Sequence, residues 1–523
     1  MCIPKQGGAL RKKTNLIHIK MKKTFILLLA IIASCSTFQL SAQKRPNIVV
    51  IMVDDLPYFD PSCMHRGLAS YQTPNIDKIA QEGTMISDYY AQPSCTAGRA
   101  AFITGQYPIR TGLTSVGQPG AKAGLHQDDP TLADLLKPLG YKTALFGKWH
   151  LGDRNENLPT VHGFDEFYGF LYHLNMMEMP EESDFPKDPK FEGRPRNMIH
   201  SFATNQVDST VDARWGMVGK QKIQDKGPLT IQRMGEIDEE FGAEAVKWIE
   251  KNKNENFFLW FNPSRMHQKI HVSEKWRGKS GMTEYADAVM QMDYLVGTIT
   301  AKLKELKLDE NTILLFTSDN GVNLAHWPDA GTAAFRGEKG TTWDGGFRVP
   351  MLIKWPGKIP AGKYTGEFMT SEDWVPTLMS AVGVQDIKKD LLTGKFGFKV
   401  HLDGYDQLAV LTKNAPSNRR EFYYYSESEL TAMRVDHWKI HFATKDSWTA
   451  APTKIDGGLM INIKLDPFER TPGTSGHFDW ATSRTWVSSF FAPYIGSLQK
   501  SLKEFPPRQK GSGVGAATLF SAP

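Results

Sequence analysis

Two apolar runs, each stopping on acidic or amide side chains, constrain this chain more than any other feature. Asn47-Ile48-Val49-Val50-Ile51-Met52-Val53 is continuous and β-branched, and it stops at Asp54-Asp55. Ile313-Leu314-Leu315-Phe316 is a second such run, ending at Ser318-Asp319-Asn320-Gly321. Runs without polar alternation suit strands buried on both faces, as in a parallel sheet covered by helices. In such sheets ligands lie outside the carboxyl ends of the strands. An Asp after one strand is ordinarily a turn residue or a helix cap. Two pairs argue for a site: Asp54, Asp55, Asp319 and Asn320 offer four oxygen ligands and no soft donor. That set suits a hard divalent cation such as Ca²⁺ or Mg²⁺, not zinc.

The remaining pattern alternates helix and strand. Thr73-Pro74 opens a helix with Ile76, Ile79 and Ala80 inward and Gly83 as its stop. Leu132 to Leu139 and Glu240 to Lys251 read as helices, Lys142 to Phe146 and Phe257 to Phe261 as strands. From about Thr283 to Leu306, Ala286, Val289, Met290, Asp293, Leu295 and Ile299 recur at helical spacing. The class is therefore α/β, a mostly parallel sheet between helices. Leu171–Arg233 reads as loops. After about residue 410, Phe422–Ser426, Ala432–Phe442 and Met460–Lys464 suggest a small antiparallel sheet, with Val487–Phe505 as a packing helix. The expected organisation is a leader over 1–43, a catalytic domain over 44–415 and a smaller α+β subdomain over 416–523.

Charge removes one class of partner. The net +5 arises in residues 1–43, which hold seven Lys/Arg and no acid. The other 480 residues carry 55 basic against 57 acidic side chains, so a nucleic-acid partner is not expected. From Met21, MKKTFILLLAIIASCSTFQLSAQ has the basic start and short apolar run of a secretory signal, too short to span a bilayer. Residues 1–20 then read as an upstream extension. Cleavage near Ser41-Ala42-Gln43 is one reading; lipid anchoring through Cys35 in Ile32-Ala33-Ser34-Cys35 is the other. Either way the mature chain is expected to be exported and periplasmic, without a transmembrane segment. Of Cys2, Cys35, Cys63 and Cys95, only the last two survive ordinary cleavage, and a bridge between them is the simplest reading.

A second use for Cys95 comes from its surroundings. Cys95-Thr96-Ala97-Gly98-Arg99 reads as a loop entering a helix, which places residue 95 beside backbone N–H groups and a positive helix end. With Pro-Asn-Ile-Val-Val-Ile-Met-Val-Asp-Asp before it and Gly105-Gln-Tyr-Pro after it, this segment resembles the type I sulfatases. Four further segments match that family in order: Gly147-Lys148-Trp149-His150-Leu151-Gly152, Ser318-Asp319-Asn320-Gly321, Arg336-Gly337-Glu338-Lys339-Gly340 with Gly345-Gly346-Phe347-Arg348-Val349-Pro350, and Leu465-Asp466-Pro467-Phe468-Glu469. The commoner family motif has Pro where Ala97 stands, a variant that bears on which maturation enzyme acts.

The resemblance implies an alkaline-phosphatase-like fold and hydrolysis of sulfate esters, on a sulfated glycan or an aryl sulfate. It implies oxidation of Cys95 to formylglycine by a dedicated maturation enzyme, and a cation, Ca²⁺ ahead of Mg²⁺, held by Asp54, Asp55, residue 95, Asp319 and Asn320. Hydrated formylglycine would attack sulfur. Lys148, Lys339 and Arg99 would neutralise the sulfate oxygens, His267 would protonate the leaving oxygen and His150 would take the proton that releases sulfate. The family's usual Pro-His-x-Pro is absent here; His267 matches best by its place after a strand, with His271 as the fallback. Trp327, His326, Arg265, His173 and Asn175 are further candidates for lining the pocket. The rival readings are a phosphatase or phosphodiesterase of the same superfamily, and an inactive glycan-binding homologue.

Overall fold

The computed structural model describes residues 1–2, 45–329 and 334–511, so the leader readings, Cys35 among them, lie outside the described residues. The unit that begins at Pro46 is built around a central strand, β1 (Asn47–Val53), buried at every position. The elements that matter next are α1 (Pro74–Glu82), β2 (Thr84–Ile86), α2 (Cys95–Thr104), β3 (Lys142–Lys148) and β4 (Glu166–Phe170). They are followed by β5 (Ile199–Asp212), β6 (Gly216–Asp225), α3 (Ile237–Lys251), β7 (Phe257–Asn262), α4 (Glu284–Glu305) and β8 (Thr312–Ser318). β9 (Met351–Lys354) and β10 (Lys363–Thr365) complete a ten-stranded sheet ordered β10-β2-β9-β8-β1-β7-β3-β4-β5-β6.

The middle five strands, β8-β1-β7-β3-β4, are all parallel, with Val50 opposite Leu315 on one side and Trp260 on the other. Antiparallel strands flank them on both sides. Helices cover the faces: Thr283 caps α4 by accepting from the Ala286 N–H, and Leu295 and Ile299 are buried beneath it. The expected helix over 240–251 begins earlier, at Ile237, because Ile237 and Asp238 are themselves buried in its first turn. No helix among the described residues is long and apolar enough to cross a membrane.

Three regions depart from the sequence reading. Residues 171–233, expected as loops, contain the long β5–β6 hairpin, most of whose outer half is exposed on both faces. The run Ala432–Phe442 is two strands, Glu429–Val435 and Trp438–Thr444, turned at Asp436 with φ of 52°. With Glu421–Ser426 and Thr453–Asn462 these form a four-stranded antiparallel sheet. The expected helix from Val487 is a 3₁₀ turn followed by an α-helix over Ala492–Glu504, with Pro493 in its first turn.

A buried knot joins this second sheet to the loop between β8 and β9. Lys439, fully buried, donates to Asp344 Oδ1 at 2.8 Å and pairs with Glu469 Oε1 at 2.7 Å. Tyr90 and Tyr424 hydroxyls also donate to Asp344, and the Asp344 N–H donates to Glu469. Removing the one cation from two buried carboxylates is expensive, because neither can be resolvated. Lys439→Met is therefore expected to lower unfolding free energy by about 3–5 kcal/mol, read from urea denaturation; a loss under about 1 kcal/mol would show that the knot does not hold the sheets together.

Candidate active site

β8, β1, β7 and β3 lie side by side and parallel, so their carboxyl ends open on one edge. β1 delivers Asp54 and Asp55, β8 delivers Asp319 and Asn320, and β3 ends on Lys148 with His150 two residues on. Beyond β7 the chain stays tied to β1: the Asp54 N–H donates to Arg265 C=O at 2.9 Å, and the Met266 N–H to Asp54 C=O at 2.7 Å. His267 is thereby turned inward. Cys95 is the first residue of α2, with Arg99 one turn below on the same face. α2 reaches the edge only because residue 98 lacks a side chain: a Cβ there would lie 1.8 Å from the Asp319 carbonyl oxygen. Asp55 and His150 both sit at positive φ, 54° and 62°, strain of the kind stored where side chains must be aimed.

The side chains interlock. Lys148 Nζ is 2.5 Å from Asp54 Oδ2; Arg99 Nη2 is 2.8 Å from Asp319 Oδ2 and 3.6 Å from Asp54 Oδ1. Lys339 Nζ lies 2.5 Å from Asp55 Oδ1 and 2.8 Å from Cys95 Sγ, whose thiol points at the same carboxylate oxygen, 3.6 Å away. Asn320 Nδ2 donates to Asp55 at 2.7 Å, and His267 Nε2 is 3.9 Å from Asp55 Oδ2. All these groups are buried. His271 stands apart, 3.0 Å from Glu178 and partly exposed. Cys63 and Cys95 are free thiols, not the bridge that was the simplest reading.

Charge sets the protonation states. Burial would raise Asp54, but Lys148 above all holds it well below the ordinary carboxylate range; Lys339 does the same, more weakly, for Asp55. Burial and then repulsion from Asp54 push Asp319 up to about 7. His267 is pushed down to about 4 by burial, and His150 well below its usual value by burial and then Lys148. Burial, and Asp54 after it, raise the Cys95 thiol well above its ordinary value, so the unmodified side chain is a protonated thiol and a poor nucleophile.

The residues fit a hard cation. Asp54, Asp55 and Asp319 each present an oxygen within 4.8 Å of the others. Asp54 Oδ1, Asp319 Oδ2 and Asn320 Oδ1 are buried and accept no hydrogen bond. Arg99 lies beside the first two at ion-pair distance without the alignment of a hydrogen bond. Orphaned oxygens on Asp54, Asp319 and Asn320, at an edge where three carboxylates come together, are what an oxygen-seeking cation satisfies.

Two of the candidate pocket residues, His173 and His326, stand beside the site. His173 stacks on His267 with centroids 5.5 Å apart and meets His150 edge-on at 5.9 Å. His326 Nε2 is 2.9 Å from the Met266 carbonyl, and Trp327 is largely exposed. Arg265, a candidate pocket residue, is instead buried and turned to Asp238, 3.3 Å away. Trp448, from the second sheet, lies 5.7 Å from Lys339 Nζ, and a Cβ on Gly340 would lie 2.2 Å from its ring. Nothing local marks Trp448 in the sequence; only the fold brings it there.

This fold and this charge-lined edge define a hydrolase of the alkaline-phosphatase-like superfamily, and comparisons place the chain within it. The sulfatase family model matches residues 46–384. The chain is 30% identical to N-acetylgalactosamine-6-sulfatase of Canis lupus familiaris over 82% of this chain and 78% of that protein. It is 30% identical to steryl-sulfatase of Homo sapiens over 87% and 88%. The crystal structure of PsFucS1 sulfatase from Pseudoalteromonas sp. superposes with a TM-score of 0.76 at 30% identity, covering 91% of this chain and 94% of that one. The chain belongs to the sulfatase family and is a sulfuric ester hydrolase.

One buried acid outside this charge cluster, Asp60, gives a test of stability against pH. Asp60 accepts from the Tyr71 and Tyr285 hydroxyls at 2.8 and 2.5 Å, and burial raises it to about 7 against those two donors. A carboxyl raised by folding stabilises the native state below its ordinary value, and that stability is lost as pH rises through about 7. Between pH 4 and 8 the native protein should lose roughly 2–4 kcal/mol relative to Asp60→Asn, which cannot ionise; parallel urea-midpoint profiles would show that Asp60 ionises normally.

Proposed function

We propose that this sulfatase cleaves sulfate esters through a formylglycine made from Cys95, with a divalent cation, Ca²⁺ ahead of Mg²⁺, held by Asp54, Asp55, residue 95, Asp319 and Asn320. The observation that carries the reading is the position of residue 95: buried at the start of α2, 2.8 Å from Lys339 Nζ, with its thiol held protonated. A residue so placed is useful as an oxidised side chain and idle as a thiol. The formylglycine supplies two hydroxyls on one carbon, one to take up sulfur and one to let sulfate leave with the aldehyde restored. A cation bound there supplies Lewis acidity to oxygens that touch it.

The chain's own residues do the rest. Lys148, Lys339 and Arg99 set three cations where the sulfonyl oxygens gather charge, among buried side chains where the dielectric is low. His267 gives its proton to the departing alcohol oxygen. Burial leaves it neutral at rest, so it takes up that proton only beside an anion, and its acid role is tied to substrate binding. His150, neutral and buried, accepts the proton whose loss releases sulfate. The substrate is a sulfated carbohydrate or an aryl sulfate, a reading supported by the names of the relatives. The partner this chemistry needs is a maturation enzyme that oxidises Cys95. We place the mature protein in the periplasm, soluble or anchored through Cys35, with a catalytic domain over 44–415 and a subdomain over 416–523.

Two measurements test this. The tryptic peptide Ile79–Arg99 from protein purified from its native host should carry the mass of an aldehyde or its hydrate at position 95. An unmodified thiol in an active preparation would sink the formylglycine. Exhaustive chelation should lower turnover of an aryl sulfate by roughly two orders of magnitude or more. Ca²⁺ should restore it in the native protein but not in Asp319→Asn, and full activity in chelator would remove the cation from the mechanism.

A further inference from the structure

At the seam between the β10 edge of the main sheet and the C-terminal sheet lies a second cavity of about 510 Å³, a volume typical of small-molecule sites. None of the active-site side chains above lines it. Its lining holds three cations, Arg66, Arg348 and Lys464, and no Asp or Glu. Two carboxylates stand against its wall: Asp77, which accepts from the N–H of the lining residue Cys63 at 2.8 Å, and Asp88, buried behind it. Arg434 clasps Asp88 with both terminal nitrogens at 2.9 and 2.8 Å, Lys464 Nζ lies 2.7 Å away and Arg348 Nη2 3.6 Å. One negative charge is thus shared by three positive ones. Asp344 faces Arg348 from the interior, and Lys439 is divided between Asp344 and Glu469, so Arg434, Arg348, Lys464 and Lys439 outnumber Asp88, Asp344 and Glu469 by one charge. Arg348 is buried with its guanidinium 4.5 Å from the Phe335 ring centroid, and its Nε has no hydrogen-bond partner.

Uncompensated positive charge beside a low-dielectric wall favours an anion. The aromatic lining says what carries it. Tyr364 on β10 and Phe468 beyond the C-terminal sheet are 57% and 38% exposed, so solvent-facing rings stand on both sides of the cationic floor. Flat apolar faces with convergent cations suit a ring that is apolar on its C–H face and charged at its edge. We propose that this cavity is a second, non-catalytic site for a sugar ring bearing a sulfate ester, separate from the ring that is hydrolysed; the choice of sulfate over other anions rests on the sulfatase reading above. The ring comes either from another residue of the same substrate chain or from a separate molecule.

The test compares the native protein with the Arg66→Ala/Lys464→Ala double variant and with Tyr364→Ala, all altered at exposed or half-exposed side chains. Kinetics on 4-nitrophenyl sulfate read the catalytic centre alone, and kcat/KM should stay within about twofold. Calorimetric titration uses a sulfated hexasaccharide, its desulfated form and N-acetylgalactosamine 6-sulfate. Both variants should bind the sulfated hexasaccharide about fivefold or more weakly, while the desulfated form binds poorly to all three proteins. A parallel loss for the monosaccharide identifies a separate ligand; a loss confined to the hexasaccharide identifies the same chain as substrate. Unchanged hexasaccharide binding in the variants, equal binding of the desulfated form, or no binding by the native protein overturns the proposal. A native protein that binds as expected but leaves 4-nitrophenyl sulfate and the hexasaccharide intact would instead undo the catalytic reading and leave this site standing.

Discussion

Six buried charges at one edge of the sheet set the terms for everything around them. Asp54, Asp55 and Asp319 face Arg99, Lys148 and Lys339, all within a few per cent of complete burial. An isolated charge in such a place costs several kcal/mol, and only close pairing repays it. The pairing is close, but it leaves Asp54 Oδ1, Asp319 Oδ2 and Asn320 Oδ1 without hydrogen bonds, and it leaves Asp319 hard to ionise. The protein side of the site is thus paired in number, three acids against three bases, yet unsatisfied in detail, an arrangement that folding alone would not favour. What it gains is a set of acceptors that want a cation, ringed by cations that want an anion.

The second sheet belongs to this arrangement as much as the first. Lys339 has no strand of its own; it rides on the loop between β8 and β9, which would otherwise be free to withdraw it. Its N–H donates to Val322 C=O and the next N–H, of Gly340, donates to Pro93 C=O, each at 2.7 Å. Four residues on, the same loop is fixed by the Lys439–Asp344–Glu469 knot, and Trp448 lies flat against Gly340. Backbone bonds to the cysteine segment and a buried ion cluster from the far sheet together do for Lys339 what a strand end does for Lys148. A charged side chain with four rotatable bonds loses entropy when held at one point, so the support has to be this extensive.

How much of this could be read from sequence is decided by the same physics. Strands buried on both faces announce themselves, and so the parallel core and the acids at its carboxyl ends were legible at β1 and β8. The β5–β6 hairpin was not: Asn205 to Asp212 are exposed on both faces, so no alternation marks them as a strand. The turn at Asp436 was hidden because an Asp, not a Gly, takes the left-handed conformation inside an apolar run. In sequence His267 stands ahead of His271 only by its place after a strand. In the structure they are separated by the pairing of Met266 with Asp54, which turns one histidine to Asp55 and leaves the other at Glu178. Trp448 reaches Lys339 across more than a hundred residues of chain, a contact that no local pattern encodes.

The loop that carries Lys339 also carries Arg348, and between them stands Asp344. On one side Asp344 is held by Lys439, Tyr90 and Tyr424; on the other its charge acts on Arg348, which with Lys464 and Arg434 surrounds Asp88. Lys339 and the cationic cavity therefore share one buried support. An anion in the cavity would draw Arg348 away from Asp88 and change the field that Asp344 feels, while leaving the ion pairs at Asp54 and Asp55 untouched. Asp344 lies on the same loop as Lys339, pinned by the neighbouring Gly345 N–H donating to Arg336 C=O, so the two sites are close along the chain even though no side chain lines both. One buried network thus stands behind Lys339 on one side and behind Arg348 and Lys464 on the other.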